Sequence, residues 1–262
     1  MKRRYSWSKM VWLFLGALYF LIPLLATLQF SLEEGGGQYG FGSYAYIFSD
    51  PMFWDSIWFS LKLSVGTIVI SMVLVVPTVY WVHLRLPRLR PVLEFVSVLP
   101  LVVPPIVLII GLLNLYRGAP AWFVGTPLIL LFAYVMYALP YVYRSVDVGM
   151  QAIDIRTLTE AAQSLGAGWR TILLRVIVPN LRVAVLSGSF LTLAIIMGEY
   201  TMASLMLFTS FAVYIAYVGQ MQTNPAAALT LISFAMTWIA ILSLLSIGGG
   251  AGSDEVQIGS RG

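Results

Sequence analysis

The segment that is most informative about the fold covers residues 157–179 and reads TLTEAAQSLGAGWRTILLRVIVP. Thr157 is followed three residues later by Glu160, which is the capping-box pattern of a helix N-terminus. The run that starts at Glu160 favours a helix, and Gly166 can end it in the left-handed conformation that glycine adopts at low cost. A second helix can begin near Trp169. The segment therefore predicts a helix, a glycine turn and another helix.

The sequence around this segment has the composition of a membrane protein. Of its 262 residues, 60% are hydrophobic and 10% are charged, whereas a soluble domain is roughly half apolar and about one quarter charged. A bilayer-spanning helix needs about 20 mainly apolar residues. The apolar blocks predict an all-α, polytopic membrane protein with six transmembrane helices. The predicted spans cover residues 10–28, 57–82, 92–116, 127–146, 176–206 and 226–247.

The basic residues indicate how these spans are oriented. Thirteen of the fifteen Lys and Arg residues precede span one, lie between spans two and three, lie around the connection from span four to span five, or lie in the tail. Lys62 and Arg117 fall on the other side. Cytoplasmic loops carry an excess of Lys and Arg. We therefore expect the N- and C-termini to be cytoplasmic, and the polar loop of residues 31–55 to face outside.

The two ends of the chain differ from the transmembrane domain of residues 10–247. Residues 1–9 form a basic N-terminus, which would also suit a signal peptide. The long apolar stretch and the lack of a small-x-small cleavage site after Pro23 favour an uncleaved first helix. Residues 248–262 are rich in Gly and Ser and predict a flexible tail.

Five prolines lie within predicted spans two, three and four. Each removes a backbone donor and tends to kink a helix, and broken backbone at membrane depth is tolerated where it is packed in protein or lines a cavity. Taken singly, each favours a simple kink; together they favour a transporter or channel over a membrane anchor. These prolines are Pro77, Pro100, Pro104, Pro105 and Pro140.

Several kinds of chemistry are excluded by residue counts. The chain has no cysteine and one histidine, His83, so thiolate or multi-histidine metal sites and a cysteine nucleophile are excluded. An intramembrane enzyme would need a catalytic set that His83 alone does not supply. No Walker motif occurs, so the chain does not hydrolyse ATP itself. A membrane assembly subunit without transport activity remains as an alternative.

The residues from Glu160 to Pro179 resemble a known family pattern. Glu160-Ala161-Ala162, three residues, Gly166, nine residues and Val176-Ile177-Val178-Pro179 are similar to the EAA loop of ATP-binding-cassette (ABC) importer permeases. That pattern is E-A-A, three residues, G, nine residues and I-x-L-P, so valine here replaces isoleucine and leucine. With six spans and this loop before span five, nearly the whole chain resembles a type I importer permease.

The resemblance implies a role for each matching residue. The loop at about residues 150–178 would carry a coupling helix that docks in a groove of a separate ATPase. Gly166 would set the turn after that helix, and Pro179 would fix the start of span five. Ile155, Leu158, Ala162 and Leu165 share an apolar face, which a partner with an apolar groove could receive. The implied coupling residues are Glu160, Ala161, Ala162, Leu165, Gly166 and Pro179.

The resemblance also implies partners and a location. The chain would work in the bacterial inner membrane with an ATPase dimer, a second and related permease, and an extracytoplasmic solute-binding protein. It would carry no cofactor of its own, because ATP and Mg²⁺ would bind to the ATPase. Nothing in the sequence indicates nucleic-acid binding.

The stretch Gly198 to Leu205 is similar to the spermidine/putrescine-type branch, which also includes permeases for ferric ion, phosphonates and oxyanions. Glu199 lies in an otherwise apolar region, where an ionisable residue is costly and usually faces the bundle interior. Its carboxylate and the ring of Tyr200 could hold ammonium groups, so we expect both to line the solute path and the solute to be a polyamine. The alternative for Glu199 is a bond to a neighbouring helix or to the second permease.

The predicted orientation can be tested by cysteine labelling, since the chain has no native cysteine. We expect an impermeant thiol reagent to label Gly36→Cys in intact cells and to leave Ala167→Cys unlabelled until the membrane is permeabilised. Labelling of Ala167→Cys but not of Gly36→Cys would mean that the orientation is reversed.

Overall fold

The computed structural model describes residues 7–34 and 37–249, and within them the regular elements are helices. The prediction of an all-α fold is confirmed. Helix α9 contains a π-helical segment, Ile172–Ile177, and a 3₁₀ turn, Pro87–Leu89, precedes α4. The helices are α1 (Trp7–Leu32), α2 (Gly42–Ser49), α3 (Pro51–Arg85), α4 (Arg90–Val102), α5 (Pro105–Leu115), α6 (Ala121–Val124), α7 (Pro127–Gln151), α8 (Ile155–Ser164), α9 (Trp169–Asn180), α10 (Arg182–Met197), α11 (Thr201–Leu205), α12 (Phe211–Met221) and α13 (Thr223–Gly249).

Four of the described helices are long and apolar enough to cross a membrane: α1, α3, α7 and α13. Two bent pairs pass the same test of length and composition when each is taken together. Helices α4 and α5 meet at 100°, and α9 and α10 meet at 76°. The described part of the chain therefore contains up to six spans, in agreement with the sequence.

The third predicted span, residues 92–116, is wrong as a single helix. It is broken at Pro104-Pro105, because a residue before proline is pushed out of the helical region. Val103 and Pro104 accordingly have ψ angles of 120° and 141°. Pro105 then occupies the first turn of α5, where the missing N–H costs nothing. By contrast, α3 and α7 continue through Pro77 and Pro140 without interruption.

The fifth predicted span, residues 176–206, is also divided differently. The span-forming helix α10 begins at Arg182, after the bend, and ends at Met197. A short helix, α11, follows Gly198–Tyr200. In addition, the predicted outer loop of residues 31–55 contains α2, a helix that sequence reasoning missed.

The described residues form two compact units. The first contains those up to Asp55 together with Tyr214–Trp238. Within it, the side-chain amide of Asn224 donates to the carbonyl oxygens of Phe30 and Glu33, both at 2.9 Å. The buried Tyr214 donates its hydroxyl to Asp50 at 2.7 Å. These bonds tie the start of α13 and a residue of α12 to the segment that precedes α3.

The second unit contains Ser56–Val213 and the described residues from Ile239 onwards, and its core is built around α7. One buried cluster joins the C-terminal half of α3 to α7, α8 and α9, and includes Tyr80, Val146 and Ile177. A second cluster joins α5, α7 and α11 around Ile109 and Tyr134. Helix α7 therefore connects the two clusters.

Small residues allow α7 and α10 to pack closely. The hydroxyl of Ser145 donates to the carbonyl oxygen of Ala184 at 2.6 Å. A Cβ added at Gly149 would overlap the Cβ of Ala184, and one added at Gly188 would lie 3.2 Å from the Cβ of Ser145. Such small side chains are typical of close helix contacts in membranes.

We expect Gly149→Ala to lower the free energy of unfolding by about 1–3 kcal/mol, the usual cost of overpacking a core. Gly111→Ala is the matched control, because a Cβ at Gly111 would meet nothing within 4 Å. There the change should be neutral or stabilising by up to about 1 kcal/mol, since alanine favours helix. Thermal unfolding in detergent measures both, and equal melting temperatures for the two variants would contradict this account of the contact.

Candidate functional site

The helix predicted in the segment that contains Glu160 is present as α8, but its N-terminal cap differs from the prediction. The capping box of Thr157 and Glu160 is wrong, because the helix begins at Ile155 and Asp154 is the cap. The Asp154 carboxylate accepts from the backbone N–H of Thr157 at 3.1 Å and from its hydroxyl at 2.8 Å. Thr157 thus serves as a donor to the cap, one turn inside the helix.

These bonds hold the pKa of Asp154 below its usual range, chiefly through the backbone N–H of Thr157 and then through its hydroxyl. Asp154 is therefore ionised at neutral pH, where its charge also suits the positive end of the helix dipole. Since the pKa is lowered on folding, the contribution of the cap is present at neutral pH and is lost as the pH falls through that lowered value.

The C-terminal end of α8 has the left-handed glycine turn that the sequence predicted at Gly166. Gly166 has a φ of +79°. Its N–H donates to the carbonyl of Gln163 at 2.9 Å, and the N–H of Ala167 donates to that of Ala162 at 3.0 Å. This pair of bonds is the Schellman arrangement, which requires a left-handed residue at the glycine position.

The apolar face of α8 packs against this chain itself. Ile155 and Ala162 are buried in the cluster that includes α3 and α9, and Leu158 is partly buried against it. On the same face, the hydroxyl groups of Thr159 and Tyr80 are 3.1 Å apart. The suggestion that this whole face is available to a partner is therefore wrong for these positions.

The C-terminal part of α8 also carries exposed residues, one of which belongs to the predicted apolar face. Glu160 and Ala161 are exposed, and Leu165 at the C-terminal end is 89% exposed. An exposed leucine beside a stiff glycine turn is a suitable contact for an apolar groove. Of the six sequence-predicted coupling residues, Ala162 holds the helix to its own chain, and these three are accessible to a partner.

Pro179 lies near the end of α9, just before the chain turns by 76° into α10. The preceding π-helical segment is a widened turn of a kind often found at functional sites. Leu181, at the bend, is buried in the same cluster as Ile155 and Ala162. The core of α8 is therefore continuous with the start of α10.

A buried carboxylate that sequence reasoning missed lies beside this cluster. Asp147, 1% exposed, is 2.7 Å from Nε2 of His83 and 3.0 Å from the guanidinium of Arg90. The amide of Gln151 donates to the same carboxylate at 2.7 Å. These bonds tie the ends of α3 and α7 to the start of α4. A carboxylate in an otherwise apolar helix was the available signal.

Glu199 and Tyr200 lie at the other end of α10. The Glu199 carboxylate, in a residue that is 6% exposed, accepts from the N–H groups of Met202 at 2.8 Å and Ala203 at 3.3 Å. It also accepts from the hydroxyl of Tyr134 at 3.0 Å. Tyr200 is 46% exposed. Glu199 thus orders the start of α11 and places Tyr200 at the surface.

The structure does not bring the two sets of predicted site residues together. Helix α10 has 16 residues, so at 1.5 Å per residue its ends are about 24 Å apart. The coupling segment precedes the helix, and the Glu199–Tyr200 pair follows it. Helix α10 is therefore the direct covalent connection between them.

Comparison with known proteins identifies transport components. Residues 80–248 match the family described as binding-protein-dependent transport system inner membrane component. The chain is 26% identical over 210 residues to the spermidine/putrescine transport system permease protein PotB of Haemophilus influenzae, with 72% of each chain covered. It is 32% identical over 157 residues to the molybdenum transport system permease protein ModB of Azotobacter vinelandii, covering 54% of this chain and 67% of that one.

The fold is similar to that of a bacterial ABC transporter involved in the import of the acidic polysaccharide alginate. The TM-score is 0.70 at 18% identity, and the match covers 92% of this chain and 98% of the other.

We expect Gly166→Val to weaken the end of α8, because a non-glycine residue in the left-handed region costs about 1–2 kcal/mol. Amide hydrogen exchange at Gln163 to Ala167 should become about 5- to 30-fold faster. Gly168→Val is the matched control: Gly168 has φ −74° and ψ 162°, where valine is tolerated, and a Cβ at either glycine meets nothing within 4 Å.

If α8 transmits force from an ATPase, Gly166→Val should also lower ATP-driven uptake while membrane insertion persists, and Gly168→Val should transport normally. Normal uptake by Gly166→Val with the ATPase bound would rule out this turn as the coupling element.

Proposed function

The chain belongs to the family of binding-protein-dependent transport system inner membrane components and is an ABC importer permease subunit; we propose that it imports a polyamine such as spermidine or putrescine. The observation that carries the coupling role is α8, a capped helix with one face fixed to the permease core and the other exposed. A rigid helix of this kind can pass on a movement instead of absorbing it.

The proposed partners follow from what this chain lacks and what it exposes. A separate ATPase dimer would hold ATP and Mg²⁺ and receive Glu160, Ala161 and Leu165. A second, related permease would complete the path, and an extracytoplasmic binding protein would deliver the solute. In this arrangement the N-terminus, α8 and the tail lie in the cytoplasm.

The proposed mechanism is a population shift between inward-open and outward-open states. ATP binding would close the ATPase dimer and displace α8. Because Leu181 belongs to the same buried cluster as α8, the start of α10 would move with it. The ATPase can shift this equilibrium only through a difference in its binding to the two states.

A cavity beside the α9–α10 joint supports this route. It has a volume of about 740 Å³ and lies between α4, α7 and the beginning of α10. Asn180 and Leu181 from the joint line it, as do Glu94 and Arg144, which form an ion pair at 3.3 Å. A change in the angle between α9 and α10 would change the shape of this space.

The polyamine assignment rests on Glu199, Tyr200 and the similarity to PotB. A carboxylate next to a half-exposed aromatic ring provides negative potential and a π face for ammonium groups. In this proposal Tyr200 contacts the solute directly, and Glu199 supplies the charge behind it.

An oxyanion is the second candidate, because ModB is named as a molybdenum transport permease. An ionised Glu199 would repel an anion, which favours the cation. Uptake by the reconstituted complex should be measured with spermidine, putrescine, ferric ion, phosphonate and molybdate. This measurement decides between a polyamine and an oxyanion as the solute. ATP-dependent uptake of an anion without polyamine uptake would overturn the substrate assignment.

We expect Glu199→Gln to raise the half-saturating polyamine concentration about 10- to 100-fold, since the attraction between two unit charges about 6–10 Å apart near a protein surface is about 1.7–2.8 kcal/mol. Tyr134→Phe is the matched control, because it removes the Tyr134–Glu199 bond and keeps the charge. Uptake kinetics and thermal unfolding should be measured on both. Equal losses of stability and uptake in the two variants would mean that Glu199 has only a structural role.

A further inference from the structure

Helix α9 crosses the following span at a steep angle and exposes apolar side chains. It meets α10 at 76°, so it lies close to the bilayer plane if α10 crosses the bilayer. Ile172, Leu173 and Ile177 face the protein core, whereas Trp169 and Leu174 are 52% and 64% exposed. A helix with apolar and aromatic residues open on one side, and basic residues between them, is typical of a membrane interface.

An apolar cavity separates this helix from α3. Its volume is about 380 Å³, within the range of about 300–1,000 Å³ for small-molecule sites. Val73 and Pro77 line it from α3, Leu174 and Val178 from α9, and Val185 from α10. Val73 is 67% exposed, so the cavity opens to the outside of this chain.

The depth of the cavity favours a lipid chain over a soluble protein. Pro77 and Val73 precede Arg85, the last residue of α3, by 8 and 12 positions. At 1.5 Å per residue they lie about 12 and 18 Å from that end of the helix. Residues 63–82 of α3 include no Asp, Glu, Lys or Arg, as expected of a segment within the hydrocarbon region.

Positive charge stands at the rim of the same cavity. Arg170 is the charged residue among the described side chains that line it, and its guanidinium carbon lies 5.5 Å from the centre of the Trp169 ring. Arg175 follows on the same helix and is exposed. Neither arginine forms an ion pair with a carboxylate within the described residues. The rim can therefore accept an anion.

We propose that this cavity is a binding site for an anionic phospholipid. The phosphate would pair with Arg170 beside Trp169, and one acyl chain would lie between Val73, Leu174 and Val185. Basic pockets at helix ends bind anionic headgroups in this way, at about 1 kcal/mol for each basic residue. Because the lipid would touch both α3 and α9, it would stabilise α9 in the position that it has in this structure.

Native mass spectrometry of the complex with its ATPase tests the proposal, using phosphatidylglycerol and phosphatidylcholine with identical acyl chains. We expect phosphatidylglycerol to bind preferentially, and Arg170→Gln to weaken its binding about fivefold. Arg88→Gln removes the same charge from an exposed site that does not line the cavity, and should leave binding unchanged. Phosphatidylglycerol with brominated chains should quench wild-type tryptophan fluorescence more than that of Trp169→Phe.

Equal binding of the two lipids, or equal losses in Arg170→Gln and Arg88→Gln, would overturn the proposal. Displacement of the lipid by soluble glycerol phosphate would overturn it too, because the acyl chain would then contribute nothing. If lipid binds to the permease without the ATPase but not to the complex, the ATPase covers the cavity and the proposal is wrong. The lipid proposal rests on the proposed function only because the experiment uses the complex with the ATPase. Lipid binding is measured without transport, so the lipid proposal and the proposed function can fail independently.

Discussion

The burial of one face of α8 against α3, α7 and α9 is the contact on which the organisation of the second unit depends. The apolar side chains of Ile155 and Ala162 are buried in the cluster, and the hydroxyl group of Thr159 lies 3.1 Å from that of Tyr80. Helix α8 has ten residues, and an isolated helix of that length is marginally stable in water. Tertiary packing, together with the Asp154 cap and the Gly166 turn, therefore keeps α8 folded and orients its exposed face.

The same cluster couples α8 to the span that follows. Leu181, at the bend between α9 and α10, is buried among the residues that hold α8. Close-packed interiors transmit displacement because they have little free volume. A force applied to the exposed end of α8 is thereby directed to the start of α10, at the edge of the cavity between α4, α7 and α10.

Two buried carboxylates, one within α7 and one between α10 and α11, are engaged by several hydrogen-bond donors. Asp147 is bound by His83 and Arg90, and Glu199 by Tyr134 and two N–H groups of α11. Burying a charge is costly unless it is paired and hydrogen-bonded. These networks fix how α3, α4 and α7 meet at one end of the unit, and how α11 begins at the other.

Local rules determined those features of this protein that depend on a few neighbouring residues. The apolar blocks predicted a multi-span helical membrane protein, and Gly166 was predicted as a left-handed turn residue, because both follow from properties of short segments. The helix break at Pro104-Pro105 follows from the same kind of local sterics, since two successive prolines push the residues before them out of the helical region. Single prolines were less informative: α3 and α7 continue through Pro77 and Pro140.

Tertiary structure alone decided which groups meet. The basic partners of Asp147, Arg90 and His83, are 57 and 64 residues away in sequence. Tyr80 is 79 residues from Thr159, and Tyr134 is 65 residues from Glu199. No local pattern specifies such pairings, because they depend on which helices pack together. For the same reason, the sequence showed that α8 has an apolar face, but only the fold decided that Ile155 and Ala162 are buried within this chain while Leu165 is exposed.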